Sequence, residues 1–154
     1  MSRSLAPFFA LGAALLVATQ ASAGAPTRGG WALAANQDCA AANSRIRALP
    51  LPATRKLLVR DTRSTLAISK QVTRQLSLIP RPKRERPAIL KLLANSRTQN
   101  GIVQKRLLPA LVRKNQRLVQ RAAVQLKPLG TRFNRMARAL GARVCAENPA
   151  PHGP

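Results

Sequence analysis

The two cysteines, Cys39 and Cys145, are the residues of this sequence whose chemistry is easiest to name. They stand 106 positions apart, and every predicted helix falls between them. Two lone cysteines in an exported chain usually pair. Closing a loop of this length removes about 4–5 kcal/mol of denatured-state freedom on the entropic model. We therefore predict one intramolecular disulfide that brackets the folded domain.

Residues that could carry general acid–base catalysis are scarce and scattered. The single histidine, His152, lies among prolines near the C-terminus, where nothing is expected to position it. The acids fall one to a segment, at Asp38, Asp61, Glu85 and Glu147. Asp61 stands between Arg60 and Arg63, a pattern that predicts a solvated ion pair. Metal-ligand spacings and Gly-rich phosphate loops are also missing, so we predict a non-enzymatic protein without metal or cofactor.

The basic residues are the feature of the sequence that indicates a binding function. The sequence has 27 Lys and Arg against 4 acids, which gives a formal charge of +23. Guanidinium forks match phosphate and sulfate oxygens. Cations repeat at helical spacing on two predicted helices, at Lys56, Arg60, Arg63, Lys70, Arg74, Arg113, Arg117, Arg121, Arg132, Arg135 and Arg138. We predict that these residues bind anionic polymers or surfaces. Nucleic acid would be bound non-specifically, because Trp31 and Phe133 are too few aromatic residues for base stacking.

The first 23 residues are typical of a secretory signal peptide. Arg3 precedes an apolar run at residues 6–19, and Ala21-Ser22-Ala23 supplies the small residues that signal peptidase accepts. The run is shorter than the ~20 apolar residues of a membrane span. We predict cleavage after Ala23 and a secreted protein. Without Arg3, 26 of the 27 basic residues remain against 4 acids, a net charge of +22.

Helical periodicity divides the rest of the chain. Residues 24–37 contain Pro and Gly without a period and are predicted as a flexible leader, while residues 146–154 are a predicted disordered, Pro-rich tail. Between them, residues 38–145 are predicted as one helical domain. Its first helix covers residues 39–49 with Asp38 as N-cap, and its second covers residues 53–79.

The second half of the domain predicts two more helices. One begins at Ala88, and the reversal after it is placed at Pro109 in preference to Asn100-Gly101. The last helix is predicted over residues 110–145, with a kink near Pro128. The fold class is therefore all-α, an antiparallel bundle of about four helices. An even number of helices brings both cysteines to the same end, where the disulfide closes the bundle.

Short motifs near the two cysteines resemble a group of small, exported, Ala/Arg-rich helical proteins of actinobacteria. Residues 39–50 read Cys-x3-Asn-x-Arg-Ile-x-Ala-Leu-Pro, residues 80–82 read Pro-x-Pro, and residues 140–145 read Leu-Gly-x-x-Val-Cys. The resemblance covers residues 38–145 and implies an extracytoplasmic helical domain. It carries over no functional residues.

These observations support one leading hypothesis and two alternatives. The leading one is an exported, non-enzymatic helical protein that binds an envelope polymer, anionic lipid or nucleic acid through its basic faces. The first alternative is a membrane-active cationic protein whose helices insert their apolar faces into a bilayer. The second is a structural or partner-binding module whose charge is incidental. No small-molecule substrate is predicted, and the oligomeric state is left open.

Overall fold

The computed structural model describes residues 25–147, and over that range the chain is built from helices. Its α-helices are α1 (Arg28–Arg47), α2 (Arg55–Leu78), α3 (Arg86–Ile102), α4 (Leu108–Val112) and α5 (Gln116–Ala139). A π-helical segment (Val103–Leu107) joins α3 to α4 without a break, and a 3-10 turn (Val144–Ala146) follows α5. With α3 to α4 counted as one helix, the predicted all-α bundle of four helices is confirmed. The predicted signal peptide and residues 148–154 of the predicted tail lie outside the described residues.

The segment predicted as a flexible leader, residues 24–37, is helical from Arg28 onward, so that prediction is wrong. The N-cap is Thr27, whose Oγ1 accepts a hydrogen bond from a backbone N–H of the first turn. The predicted cap, Asp38, lies inside the helix. The burial of Trp31 explains why this segment is helical and not flexible. Trp31 is only 2 % exposed, and burying an indole contributes about 4–6 kcal/mol to the stability of the fold. The two glycines of the segment cost about 1 kcal/mol each in a helix, which is less.

The hydrophobic core fills one end of the bundle, where α1 and α3 begin and α2 and α5 end. It consists of Trp31, Ala32, Ala35, Cys39, Leu76, Ile89, Leu92, Leu93, Ala137, Leu140, Ala142, Cys145 and Ala146. All five of the largest fully buried side chains belong to this cluster. The opposite end, where α1 ends and α5 begins, buries few large side chains. We call the two regions the closed end and the open end.

The reversal predicted at Pro109 occurs instead after α4. The π-helical segment explains how the helix passes the proline, because the Leu108 N–H donates to the Val103 carbonyl one residue further back than in an α-helix. Such a widened turn accommodates a ring that carries no N–H. The chain turns at Lys114, whose φ is +57°, and Asn115 caps α5 by accepting a hydrogen bond from a backbone N–H at 3.1 Å.

The last helix is shorter than the predicted 110–145 at both ends, although it runs through Pro128 without a break. Its end is a Schellman motif, in which the Ala142 N–H donates to the Ala137 carbonyl at 2.9 Å. This motif needs a left-handed residue after the helix, and Gly141 supplies it with a φ of +85°. The apolar spacing continues across the motif, so periodicity alone did not reveal the end.

The Schellman motif turns the chain back so that the 3-10 turn packs against α1. Two amides of α1 hold the returning chain. Asn36 donates to the Gly141 carbonyl at 3.1 Å and accepts from the Val144 N–H at 3.0 Å. Asn43 donates to the Val144 carbonyl at 3.1 Å. These bonds satisfy backbone groups that no helix ladder satisfies.

The predicted disulfide between Cys39 and Cys145 is confirmed, with Cα atoms 5.1 Å apart. Cys39 lies in the middle of α1 and Cys145 in the 3-10 turn beyond α5. The bond therefore joins the first helix to the end of the domain within the closed end.

Replacing Cys39 by Ser should lower the free energy of unfolding by about 4 kcal/mol, because the denatured chain regains the freedom of a long loop. The double variant C39S/C145S should lose no more than the single one, since the same bond is broken in both. Urea denaturation followed by circular dichroism measures these losses. Two reactive thiols per chain in the denatured, unreduced wild-type protein would contradict the pairing.

Replacing Gly141 by Ala should destabilise the fold by about 1–3 kcal/mol, because the positive φ is strained for a residue with a Cβ. That Cβ would also lie 3.2 Å from the Ala32 Cβ. Gly101→Ala is the matched control. It lies in α3 with open space around the added methyl group, and it should stabilise the protein by up to about 1 kcal/mol. The same unfolding assay measures both variants, and an equal sign for the two changes would contradict this account.

Candidate functional site

A layer of polar side chains separates the core from the open end. The Ser69 hydroxyl donates to the Asn100 Oδ1 at 2.7 Å, and the hydroxyls of Thr73 and Ser96 share a hydrogen bond of 2.7 Å. Thr73 also bonds the Ser69 carbonyl at 2.7 Å. The layer lies where the sequence places Ser and Thr in the helical seam of α2. Its hydroxyls are paired with one another, so burial costs them little.

Beyond this layer the helices leave a groove of about 540 Å³ between α2, the end of α1 and the π-helical segment. Its apolar walls are Ile46, Leu49, Pro50, Pro52, Leu58, Leu66, Val103, Leu107 and Leu126. The connection between α1 and α2 forms one rim with its prolines, and α5 reaches the groove from the opposite side through Leu126. The open end therefore contains an apolar cavity, whereas the closed end contains a packed core.

Asp61 is the charged residue in the wall of this groove, and it is only 8 % exposed. Its Oδ1 accepts a hydrogen bond from the Arg60 Nε at 3.3 Å, whereas its Oδ2 is buried without a hydrogen-bond partner. The predicted ion pair therefore forms, with Arg60, but the prediction that it is solvated is wrong for the carboxylate, which is buried. Arg63 takes no part in the pair, because it lies about 200° around the helix from Asp61.

The predicted basic residues are all exposed, on α2, α5 and the turn between α4 and α5. On α2, Lys70 and Arg74 line a shallow hollow together with Arg97 of α3. Lys56, Arg60 and Arg63 stand on the first half of α2 and do not line it. The stripe predicted along α2 is thus divided, and only its second half meets cations from another helix.

A second set of cations converges between α4 and α5. Lys105 and Arg106 of the π-helical segment, Arg113 of the turn and Arg121 of α5 line a hollow of about 330 Å³. No acid lines this hollow, and Arg106 is held by a hydrogen bond to Gln125 of α5. We call it the α4–α5 basic hollow. Arg113 and Arg121 were predicted as binding residues and the other two cations were not, because a π-helical segment shifts residues off the regular helical spacing.

Further along α5 the cations form a continuous strip. Arg132 and Arg135 line one hollow with Lys127, and Arg135 and Arg138 line the next. Lys127 was not predicted, although it stands five residues before Arg132 on the same helix. The predicted Arg117 is exposed near the start of α5, outside these hollows.

Within residues 25–147, no ion pair neutralises the cations of the α4–α5 basic hollow or of the strip along α5. In the part of the chain that the structure describes, the ion pairs are Arg47 with Glu147 at 3.8 Å and Arg60 with Asp61 at 3.3 Å. Neither pair lies in the α4–α5 basic hollow or on the strip along α5. Adjacent like charges on one surface produce a positive potential that attracts anions.

Two searches for other kinds of site give negative findings over residues 25–147. No three His, Cys, Asp or Glu side chains gather closely enough there to hold a metal ion. No helix in that range has the length and apolar character needed to cross a membrane. That the protein is not an enzyme and uses no cofactor stays a prediction.

Comparison with protein families, with curated proteins and with solved structures finds no significant match for this chain. The resemblance to exported actinobacterial proteins therefore stays a prediction. The motif residues have structural roles here, since the two cysteines, Asn43 and Gly141 all close the C-terminal turn on α1.

Proposed function

We propose that this protein is an exported, non-enzymatic helical protein that binds anionic polymers or surfaces through the α4–α5 basic hollow and the strip along α5. The observation that carries the proposal is the hollow itself, in which Lys105, Arg106, Arg113 and Arg121 meet with no acid among them. Export is supported by the disulfide, a bond typical of oxidising compartments, and by the signal-like first 23 residues.

The chemistry of the hollow favours phosphate or sulfate groups on a polymer. Arginine forks donate two parallel hydrogen bonds to such groups, and each contact releases a condensed counterion from the polymer. Several contacts along the hollow and the strip would add, while none of them reads a base or a sugar. The proposed ligands are therefore anionic envelope polymers, anionic lipid headgroups and nucleic acid, bound by charge density rather than by sequence.

The triple variant K105Q/R113Q/R121Q tests whether the hollow is the binding site. Duplex DNA and polyphosphate serve as probes, and affinity is measured at several salt concentrations. We expect weaker binding to both, and for DNA a salt slope reduced by about two to three, since each lost phosphate contact removes roughly 0.9 from the slope.

The matched control is R55Q/K56Q/R63Q, which removes the same charge from the start of α2. It should lose much less affinity than the hollow variant. An equal loss in the two triple variants would show that net charge alone attracts the polymer. Affinity that does not respond to salt would contradict electrostatic binding altogether.

Vesicles of anionic and zwitterionic lipids, loaded with a dye, separate adhesion from membrane damage. We expect adhesion to anionic vesicles without dye release, because the disulfide and the Asn36 and Asn43 amides hold the C-terminal turn on α1. Helices held in this way keep their apolar faces inside the bundle. Dye release at the same protein concentration would instead favour the membrane-active alternative.

A further inference from the structure

We propose that the groove at the open end binds a small apolar molecule that carries an amine, with Asp61 as the acceptor for the ammonium N–H groups. This site would be separate from the basic surface in location and in the charge of its ligand. The proposal does not rest on the function argued above.

The cavity has the size and the walls of a ligand site. Its volume of about 540 Å³ lies within the roughly 300–1,000 Å³ that pockets for small molecules occupy. Leu66 of α2, Val103 of the π-helical segment and Leu126 of α5 are among its walls, so three parts of the fold enclose it. An apolar molecule that entered would remove these surfaces from water, which stabilises the complex by about 25 cal/mol per Å² of area buried.

Asp61 supplies the specificity. Its Oδ2 is buried in the wall of the groove and accepts no hydrogen bond. A buried polar atom without a partner destabilises the folded protein. A ligand N–H group that reached Oδ2, once the Asp61 side chain turned to open that atom to the groove, would remove that destabilisation. Ser69, Asn100, Thr62 and Gln99 of the lining are already hydrogen-bonded, and Asp61 Oδ2 is its buried polar atom without a partner, so Asp61 is where a polar head gains most.

Charge selects an amine over an anion. Among the residues that line the groove none is Lys or Arg, although 26 of these cations lie within residues 25–147. An anion drawn to the protein surface would find no cation in the lining and would meet the Asp61 carboxylate, whose partner Arg60 bonds the other oxygen, Oδ1, and lies outside the lining. An ammonium group would instead form a charge-assisted hydrogen bond there, which is stronger than a neutral one.

Four probes with the same twelve-carbon chain separate these contributions, each measured by calorimetry below its micelle concentration. Dodecylamine carries charge and donor, dodecanol a donor only, dodecyltrimethylammonium a charge only, and dodecanoate the opposite charge. We expect dodecylamine to bind tightest. Tighter binding of dodecanoate, or no binding of any probe, would overturn the proposal.

Variants locate the binding. Asp61→Asn should weaken dodecylamine binding ten-fold or more and change dodecanol binding little, whereas Asp38→Asn, which removes an acid outside the groove, should change neither. Thr65→Trp, which fills the groove, should abolish binding of both and also serves if Asp61→Asn does not fold. Wild-type affinity for dodecylamine in folded D61N or T65W protein would overturn the proposal.

Salt distinguishes this site from the polyanion surface. Added salt screens the repulsion between the positively charged protein and an ammonium ligand, so dodecylamine binding should hold steady or strengthen. The hollow variant K105Q/R113Q/R121Q should leave dodecylamine affinity unchanged or raise it slightly, because three repelling charges are removed. Amine binding that fell with salt in parallel with polyphosphate binding would contradict a separate site.

Discussion

The closure between the first helix and the end of the domain is the contact on which the fold depends. α1 packs on α2 and on the 3-10 turn, and α5 packs on α3 and on the same turn. The Cys39–Cys145 bond and the amides of Asn36 and Asn43 therefore connect helices that would otherwise belong to opposite edges of the bundle. A chain of +23 repels itself, and cross-linking its denatured state opposes that effect.

The core closes one end of the bundle, and the groove and the α4–α5 basic hollow lie towards the other. The closed end holds a core of buried side chains, among them Trp31 and the large leucines and isoleucine of α2 and α3. Beyond the polar layer of Ser69 and Asn100, the same helices enclose a groove and carry the α4–α5 basic hollow. We interpret this division as the basis of function, because a rigid scaffold positions surface groups more accurately than a flexible chain does.

Helices with a clear local period of apolar residues were predicted correctly. The predictions failed where contacts between residues distant in the sequence determine the structure. The periods of α2 and α3 placed both helices within a few residues. Trp31 was missed because its burial depends on α3 and the C-terminal turn, which no local pattern reveals. The chain reversal was wrongly predicted at Pro109, because a π-helical segment lets the helix continue past this proline. The basic faces were visible as spacing, yet the partners Lys105 and Arg106, and the buried Asp61, required the packing of several helices.

Hydrogen exchange with and without polyphosphate tests most directly whether the closed end holds the fold and the basic surface of residues 105–138 binds the polymer. Without ligand, the slowest amides should lie at the closed end, in the first halves of α1 and α3 and the second half of α2. Polyphosphate should slow exchange mainly over residues 105–138, which carry the α4–α5 basic hollow and the strip along α5. Uniform protection along all helices, or a response to polyphosphate spread evenly over the chain, would contradict this account.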